Sequence, residues 1–266
     1  MRTADPARWH YTKPIEADAL QSQYDALVGL LGKADVEIMW IDGDGADLAD
    51  SVFTYDPSFM APHGAILLRP GKELRRGEVE LHEAFYRRSG VPIIGRIEAP
   101  GTVEGGDLFW GTPTTLLAGR GFRTNSSGLT QLAAILEPYG IEVLSFGLPF
   151  HEGPEACLHL MSLVSPLDHN LALVYLPLLP APLHQYLTEC GWELLAAPRK
   201  EFEATGGMNV NVLATGPRRC IAIEECEATL ELMRSAGCEV STFSGTELCI
   251  PCEGGPTCLT RPILRG

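Results

Sequence analysis

Apolar and polar positions alternate along the chain in short blocks whose period switches between helical and extended spacing. Over residues 16–31 the apolar side chains Ala19, Leu20, Tyr24, Leu27, Val28 and Leu31 recur at helical intervals. Gly32 is read as the close of that helix and 36–41 as a strand. Asp42-Gly43-Asp44-Gly45 predicts a turn, because its spacing misses the acidic pattern of a calcium loop. A unit of strand, strand, helix and strand then recurs. It is predicted over 51–55, 65–69, 77–89 and 92–97, and again over 108–110, 114–118, 127–137 and 141–145. The third copy covers 157–164, 171–176, 182–190 and 192–195; the fourth covers 208–214, 220–223, 225–236 and 238–243. The helices open near residues 16, 77, 126, 182 and 225, a period in the range of repeat architectures. The first helix lacks its two leading strands, and a strand over 258–264 would supply one of them if the chain closes into a ring. No low-complexity linker interrupts 1–266, so a single closed domain is expected.

Composition narrows the function classes. The 266 residues are 45% hydrophobic and 20% charged, the balance of a globular chain long enough to bury a large core. A net charge of −14 leaves no basic surface to neutralise phosphates, which argues against nucleic acid. The N-terminus is polar, and the longest apolar run, 171–183, is interrupted by three prolines and is too short to span a bilayer. Eight cysteines without a secretory leader are expected to stay reduced, in a cytoplasmic setting.

The candidate chemistry centres on Glu253-Gly254-Gly255-Pro256-Thr257-Cys258, where a cysteine follows a glycine turn. A nucleophilic thiol needs a base and, for a cationic substrate, carboxylates. Glu104, His159 and Asp56 offer these. On the repeat scheme Asp56 ends one leading strand, Glu104 and Asp107 precede the next, and His159 and Asn209 lie on the third and fourth. Cys258 opens the fifth, so five polar groups occupy corresponding places in five units. Cys249-Ile250-Pro251-Cys252 has neither a second close cysteine pair for zinc nor a thioredoxin-like context. Gly119-Arg120-Gly121 lacks the lysine of a phosphate loop.

Several segments together resemble the guanidino-group-modifying enzymes of the pentein fold, most closely the dimethylarginine dimethylaminohydrolase family. They are residues 50–57, 69–71 with 75–78, the stretch Ala99-Pro100-Gly101-Thr102-Val103-Glu104-Gly105-Gly106-Asp107, Arg123-Thr124-Asn125, Leu158-His159-Leu160, Met208-Asn209 and 254–258. The resemblance covers about residues 16–266. It implies an α/β propeller of five pseudo-symmetric ββαβ units, the first lacking a strand, with no metal and no cofactor. It implies Cys258 as nucleophile, His159 as acid and base, and Glu104 as its carboxylate partner. Asp56 would bind the substrate guanidinium, Asp50 would add a polar contact, and Arg75 and Arg123 would take the α-carboxylate. The expected partner is a small-molecule guanidino substrate, with neither nucleic acid nor membrane, and a homodimer is admitted.

The chain also departs from that pattern. No counterpart of the first strand and substrate-covering loop precedes Trp9, and Tyr55 stands where those hydrolases usually carry glutamate. Met161 stands where arginine deiminases and amidinotransferases carry an aspartate for the unsubstituted guanidinium. The implied activity is therefore hydrolysis of a C–N bond in an N-substituted guanidine. The alternatives are a hydrolase or deiminase of another guanidino or ureido compound, and a pentein that binds without turnover.

Overall fold

The computed structural model describes residues 5–43, 48–154 and 156–264. Asp44 and Gly45, half of the turn expected over 42–45, lie outside them. The chain forms two compact units, Met1–Met39 with Ser162–Leu259, and Trp40–Met161 with Thr260–Gly266.

The first unit opens with α1 (Pro6–Trp9) and α2 (Ala17–Lys33). The Glu16 carboxylate accepts the Ala19 N–H at 3.2 Å and caps α2, whose Leu27 and Leu31 are buried. Gly32 does not end the helix: it lies inside the last turn, and Ala34 is the cap. The strand expected over 36–41 is absent, since these residues join no ladder and Met39 and Trp40 stand exposed.

The second unit holds two repeats of one motif. β1 (Ser58–Ala61), β2 (Gly64–Leu67), α3 (Glu78–Arg88) and β3 (Ile93–Arg96) form the first repeat. β4 (Leu108–Thr112), β5 (Thr115–Arg120), α4 (Ser126–Leu136) and β6 (Glu142–Gly147) form the second. In each sheet the first two strands are an antiparallel hairpin, and the helix crosses over to a third strand parallel to the middle one. The middle strands are buried on both faces. Ile66 packs with Phe59, Leu108, Leu116 and Leu132, while Ala65 and Leu67 pack with Val79, Phe85 and Tyr86 of α3.

The rest of the first unit repeats the motif twice more. The third copy is β7 (Val164–Asp168), β8 (Leu171–Val174), α5 (Ala181–Glu189) and β9 (Glu193–Ala196). An added helix, α6 (Arg199–Thr205), leads to the fourth, β10 (Leu213–Gly216), β11 (Arg219–Ile223), α7 (Glu227–Ser235) and β12 (Glu239–Phe243). No described helix is long and apolar enough to cross a membrane.

The leading strand of the second repeat begins where it was expected, at Leu108, and one correction, which matters for function, applies to the other three. The leading strands expected over 51–55, 157–164 and 208–214 begin later, at Ser58, Val164 and Leu213. Before them the chain runs as turns and 3₁₀ segments, Ala49–Val52 and Leu160–Ser162 among them. Phe53, Tyr55, Leu160 and Val210 are buried there and imitate a strand's alternation, yet the backbone joins no ladder. The run 258–264 likewise forms no strand. Asp50, Asp56, Glu104 and His159 stand in these irregular lead-ins, whereas Arg75 and Arg123 lie between a middle strand and the helix that follows it.

Candidate active site

In the second unit the lead-ins bring three predicted residues together. Ligand atoms of Asp56, Glu104 and His159 all lie within 4.8 Å of one another, and all three side chains are buried. Glu104 is placed by the segment ahead of α4. Its N–H donates to Thr124 Oγ1 at 3.1 Å, and the Asn125 side chain takes the Thr102 N–H while capping α4 through Gly128. His159 is placed by Gly106: a Cβ there would sit 2.5 Å from Nδ1, so only glycine lets the ring in.

The carboxylates are fully engaged. Glu104 accepts from His159 Nε2 at 2.6 Å and from the Lys72 N–H at 3.1 Å, with Arg123 Nη1 at 3.3 Å. Asp56 accepts the Gly106 N–H at 2.8 Å through Oδ1, and Oδ2 pairs with Arg75 Nη1 at 2.5 Å. Arg75 gives its remaining edge to Glu78 and the Phe53 carbonyl, at 2.8 and 2.7 Å. Its guanidinium thus holds Asp56 in place, whereas among the described residues Arg123 commits Nη1 alone. Asp50 pairs with Lys72 Nζ at 2.7 Å.

Burial is the largest single influence on these three groups, and their charged and hydrogen-bonding partners together outweigh it. Burial acts to raise Glu104, but Arg123 and the bond to His159 hold its carboxyl far below the usual range. Burial raises Asp56 likewise, and His159, Arg75 and the Gly106 N–H carry it below its ordinary value. Burial acts to lower His159, yet Cys157, Asp56 and Glu104 lift it well above an ordinary histidine. The result is an imidazolium between anions, with Nε2 committed to Glu104 and Cys157 Sγ 3.7 Å from Nδ1. The triad is also the one described group with spacing suited to a metal ion, though both carboxylates already face guanidinium groups.

Cys258 belongs to the first unit. Asn211 Nδ2 donates to its Sγ at 3.0 Å, and Asn211 Oδ1 takes the Thr257 N–H at 3.0 Å. Gly255 permits this, as a Cβ there would meet Asn211 Cγ at 2.6 Å. The cysteines are all free thiols. Burial, followed by Cys258, pushes the Cys249 thiol well up, the state of an inert packing group.

A sequence profile of the arginine deiminase family matches residues 45–190, more than half of the chain. An N(G),N(G)-dimethylarginine dimethylaminohydrolase from Pseudomonas aeruginosa is 35% identical over 202 residues, spanning 76% of this chain and 74% of its own. The chain is a dimethylarginine dimethylaminohydrolase-like member of the arginine deiminase family. Its fold is that of the penteins. The solved dimethylarginine dimethylaminohydrolase of Pseudomonas aeruginosa complexed with citrulline matches at a TM-score of 0.78 and 26% identity, over 97% of this chain and 95% of its own. A dimethylarginine dimethylaminohydrolase adduct with S-methyl-L-thiocitrulline matches at 0.77 and 28%, over 92% and 89%. As a member of this family the chain is a guanidino-group hydrolase.

Sequence reasoning missed Asn211, Glu78, Lys72 and Cys157. Asn211 was within reach, because it stands two positions after the noted Asn209. The Arg75–Glu78 pair is an ordinary i,i+3 spacing, and only its burial marks it.

Proposed function

We propose that the chain hydrolyses a C–N bond of an N-substituted guanidine, a methylated arginine being the model substrate, to a citrulline-like ureido product and an amine. The observation that carries this reading is the buried Asp56–Glu104–His159 cluster, two anions and an imidazolium prepared for a guanidinium. Asp56 and Glu104 orient the cation, Asp50 adds a polar contact, and Arg123 takes the α-carboxylate beside an Arg75 that holds Asp56. The Cys258 thiolate attacks the guanidinium carbon, forming a C–S bond and a tetrahedral adduct. His159 protonates the departing amine as the C–N bond breaks, leaving an S-alkylthiouronium. It then takes a proton from water, whose oxygen adds to the same carbon, and the C–S bond breaks to return the thiolate. The family resemblance supports Cys258 in this role, and the donor from Asn211 suits a sulfur that carries negative charge.

The reading includes a small-molecule substrate without nucleic acid or membrane partners, a cytoplasmic setting, one catalytic domain over 1–266, and room for a homodimer. No resident metal or cofactor enters it. The main competitor is plain arginine as substrate, which the family name raises. Met161, in the 3₁₀ segment after His159, favours the N-substituted compound because a thioether offers no strong acceptor to a second N–H. The test is a panel of arginine, Nω-methylated arginines, agmatine and ureido compounds, read by product formation and by intact-protein mass spectrometry for an adduct on Cys258. No turnover and no adduct across the panel defeats the reading.

A further inference from the structure

Arg261 follows the irregular run after Cys258 and lies in the second unit, where it meets the lead-in that carries Asp56. Its guanidinium carbon lies 3.7 Å from the Tyr55 ring centroid and 5.8 Å from that of Phe59. Its Nη2 donates to the backbone carbonyl of Tyr55, the residue before Asp56. Gly105 closes the junction: a Cβ there would meet the Tyr55 oxygen at 2.1 Å and Arg261 Nη2 at 2.6 Å. One residue further along, the Gly105 N–H donates to the Asp56 carbonyl at 3.1 Å and the Gly106 N–H to its carboxylate at 2.8 Å.

Arg261 is an expensive residue for that place. Among the described residues it has no carboxylate partner, and its Nε is buried without a hydrogen bond. Its charge is felt nearby, since His82 is pushed down to about 3 by burial and then by Arg261 and Arg75. A side chain needed only to cover Tyr55 and Phe59 would do so at lower desolvation cost as methionine or leucine. What the guanidinium adds is a planar donor that stacks on a ring and reaches a carbonyl at once.

We propose that Arg261 is a positioning residue for the guanidinium subsite: by clamping the Tyr55 carbonyl it fixes the Asp56 carboxylate against the Glu104-Gly105-Gly106 segment. The role rests on the reading that Asp56 grips the substrate cation. It makes the Tyr55–Arg261 pair a part of substrate recognition at a place where this chain departs from related hydrolases, Tyr55 standing where they usually carry glutamate.

The experiment compares the full chain with Arg261→Met, which keeps the bulk, and Arg261→Lys, which keeps the charge. Two quantities are read: amide hydrogen exchange at Gly105 and Gly106, and the split of KM against kcat on the best substrate of the panel. The expected result for Arg261→Met is exchange about ten-fold faster at both glycines, with the β5 amides unchanged. KM should rise about ten-fold with kcat within about three-fold, the pattern of lost uniform binding, and Arg261→Lys should recover part of both. If Arg261→Met does not fold, Tyr55→Leu removes the stack while keeping the carbonyl and should move both quantities the same way. Unchanged exchange at the glycines overturns the proposal whether or not any guanidine is turned over. Faster exchange with a lower Tm but an unchanged KM also overturns it, by making Arg261 a purely structural clamp. Absence of turnover by the unmodified chain would defeat the substrate reading alone, and the exchange result would still decide whether Arg261 holds Asp56.

Discussion

His159 Nε2 stands 2.6 Å from Glu104 Oε2, and this contact assigns the two ring nitrogens different tasks. Glu104 is ionised, so Nε2 donates to it, and in the proposed reaction Nδ1, 3.7 Å from Cys157 Sγ, is the nitrogen that exchanges protons with substrate and water. The same anion stabilises the imidazolium.

Glu104→Gln tests that assignment. The folded pKa of His159 is raised, so the acid form needed for amine departure persists above the ordinary histidine range and is lost as pH rises through the raised value. Removing the anion lowers that pKa. The basic limb of kcat/KM against pH should therefore move down, and the rate at neutral pH should fall by about 100-fold. A basic limb that stays in place in the variant would show that His159 is not the titrating acid.

Cys258→Ser should abolish turnover while circular dichroism and Tm stay near those of the parent. More than about a tenth of the rate remaining, a barrier change under ~1.4 kcal/mol, would exclude Cys258 as nucleophile.

Asp107 gives a stability prediction. Its Oδ1 accepts the Leu160 N–H at 2.9 Å, and burial pushes its pKa up to about 6, partly offset by His159. A carboxyl raised in the folded state stabilises fully below its unfolded pKa, and that stability is lost as pH rises through about 6. Asp107→Asn keeps the acceptor and removes the buried charge. It should gain on the parent from pH 4 upward, levelling above pH 6 at roughly 3 kcal/mol. Denaturant titrations at pH 5 and pH 8 measure it; an equal gap at the two pH values contradicts the raised carboxyl.

The helices were legible because each carries an apolar stripe: the expected openings at 77, 126, 182 and 225 lie within two residues of Glu78, Ser126, Ala181 and Glu227. α6 was not, since Phe202 is nearly its only large apolar residue. The second leading strand was legible at its true start, Leu108, but the first and third were placed too early because Phe53, Tyr55 and Leu160 are buried by packing around the site rather than by a ladder. The motif residues Asp56, Glu104 and His159 were legible as chemistry. What held them was not: Glu78 and Arg261 look like solvated charges until their burial and partners are seen.

Met161→Asp addresses substrate choice. On the proposed reading, in which Met161 faces the substrate guanidinium, an N–H there forgoes a hydrogen bond, costing roughly 1–3 kcal/mol, whereas an N-methyl group gains about 0.8 kcal/mol. Methylated arginine should be preferred by roughly ten-fold to a few hundred-fold in kcat/KM, and the aspartate should narrow or invert the preference. Equal use of arginine by the parent, or no response to the aspartate, would remove Met161 as the determinant.

The lead-in segments have a consequence for how such an enzyme can change. Within a strand, one inserted residue turns every later side chain to the opposite face and exposes the core. Asp56, Glu104 and His159 instead stand outside the ladders, at unequal distances before Ser58, Leu108 and Val164. Each spacing can lengthen or shorten by a residue while the sheet behind it keeps its register. The reactive groups are grafted onto the sheets rather than woven into them, so the active site can be re-tailored one segment at a time.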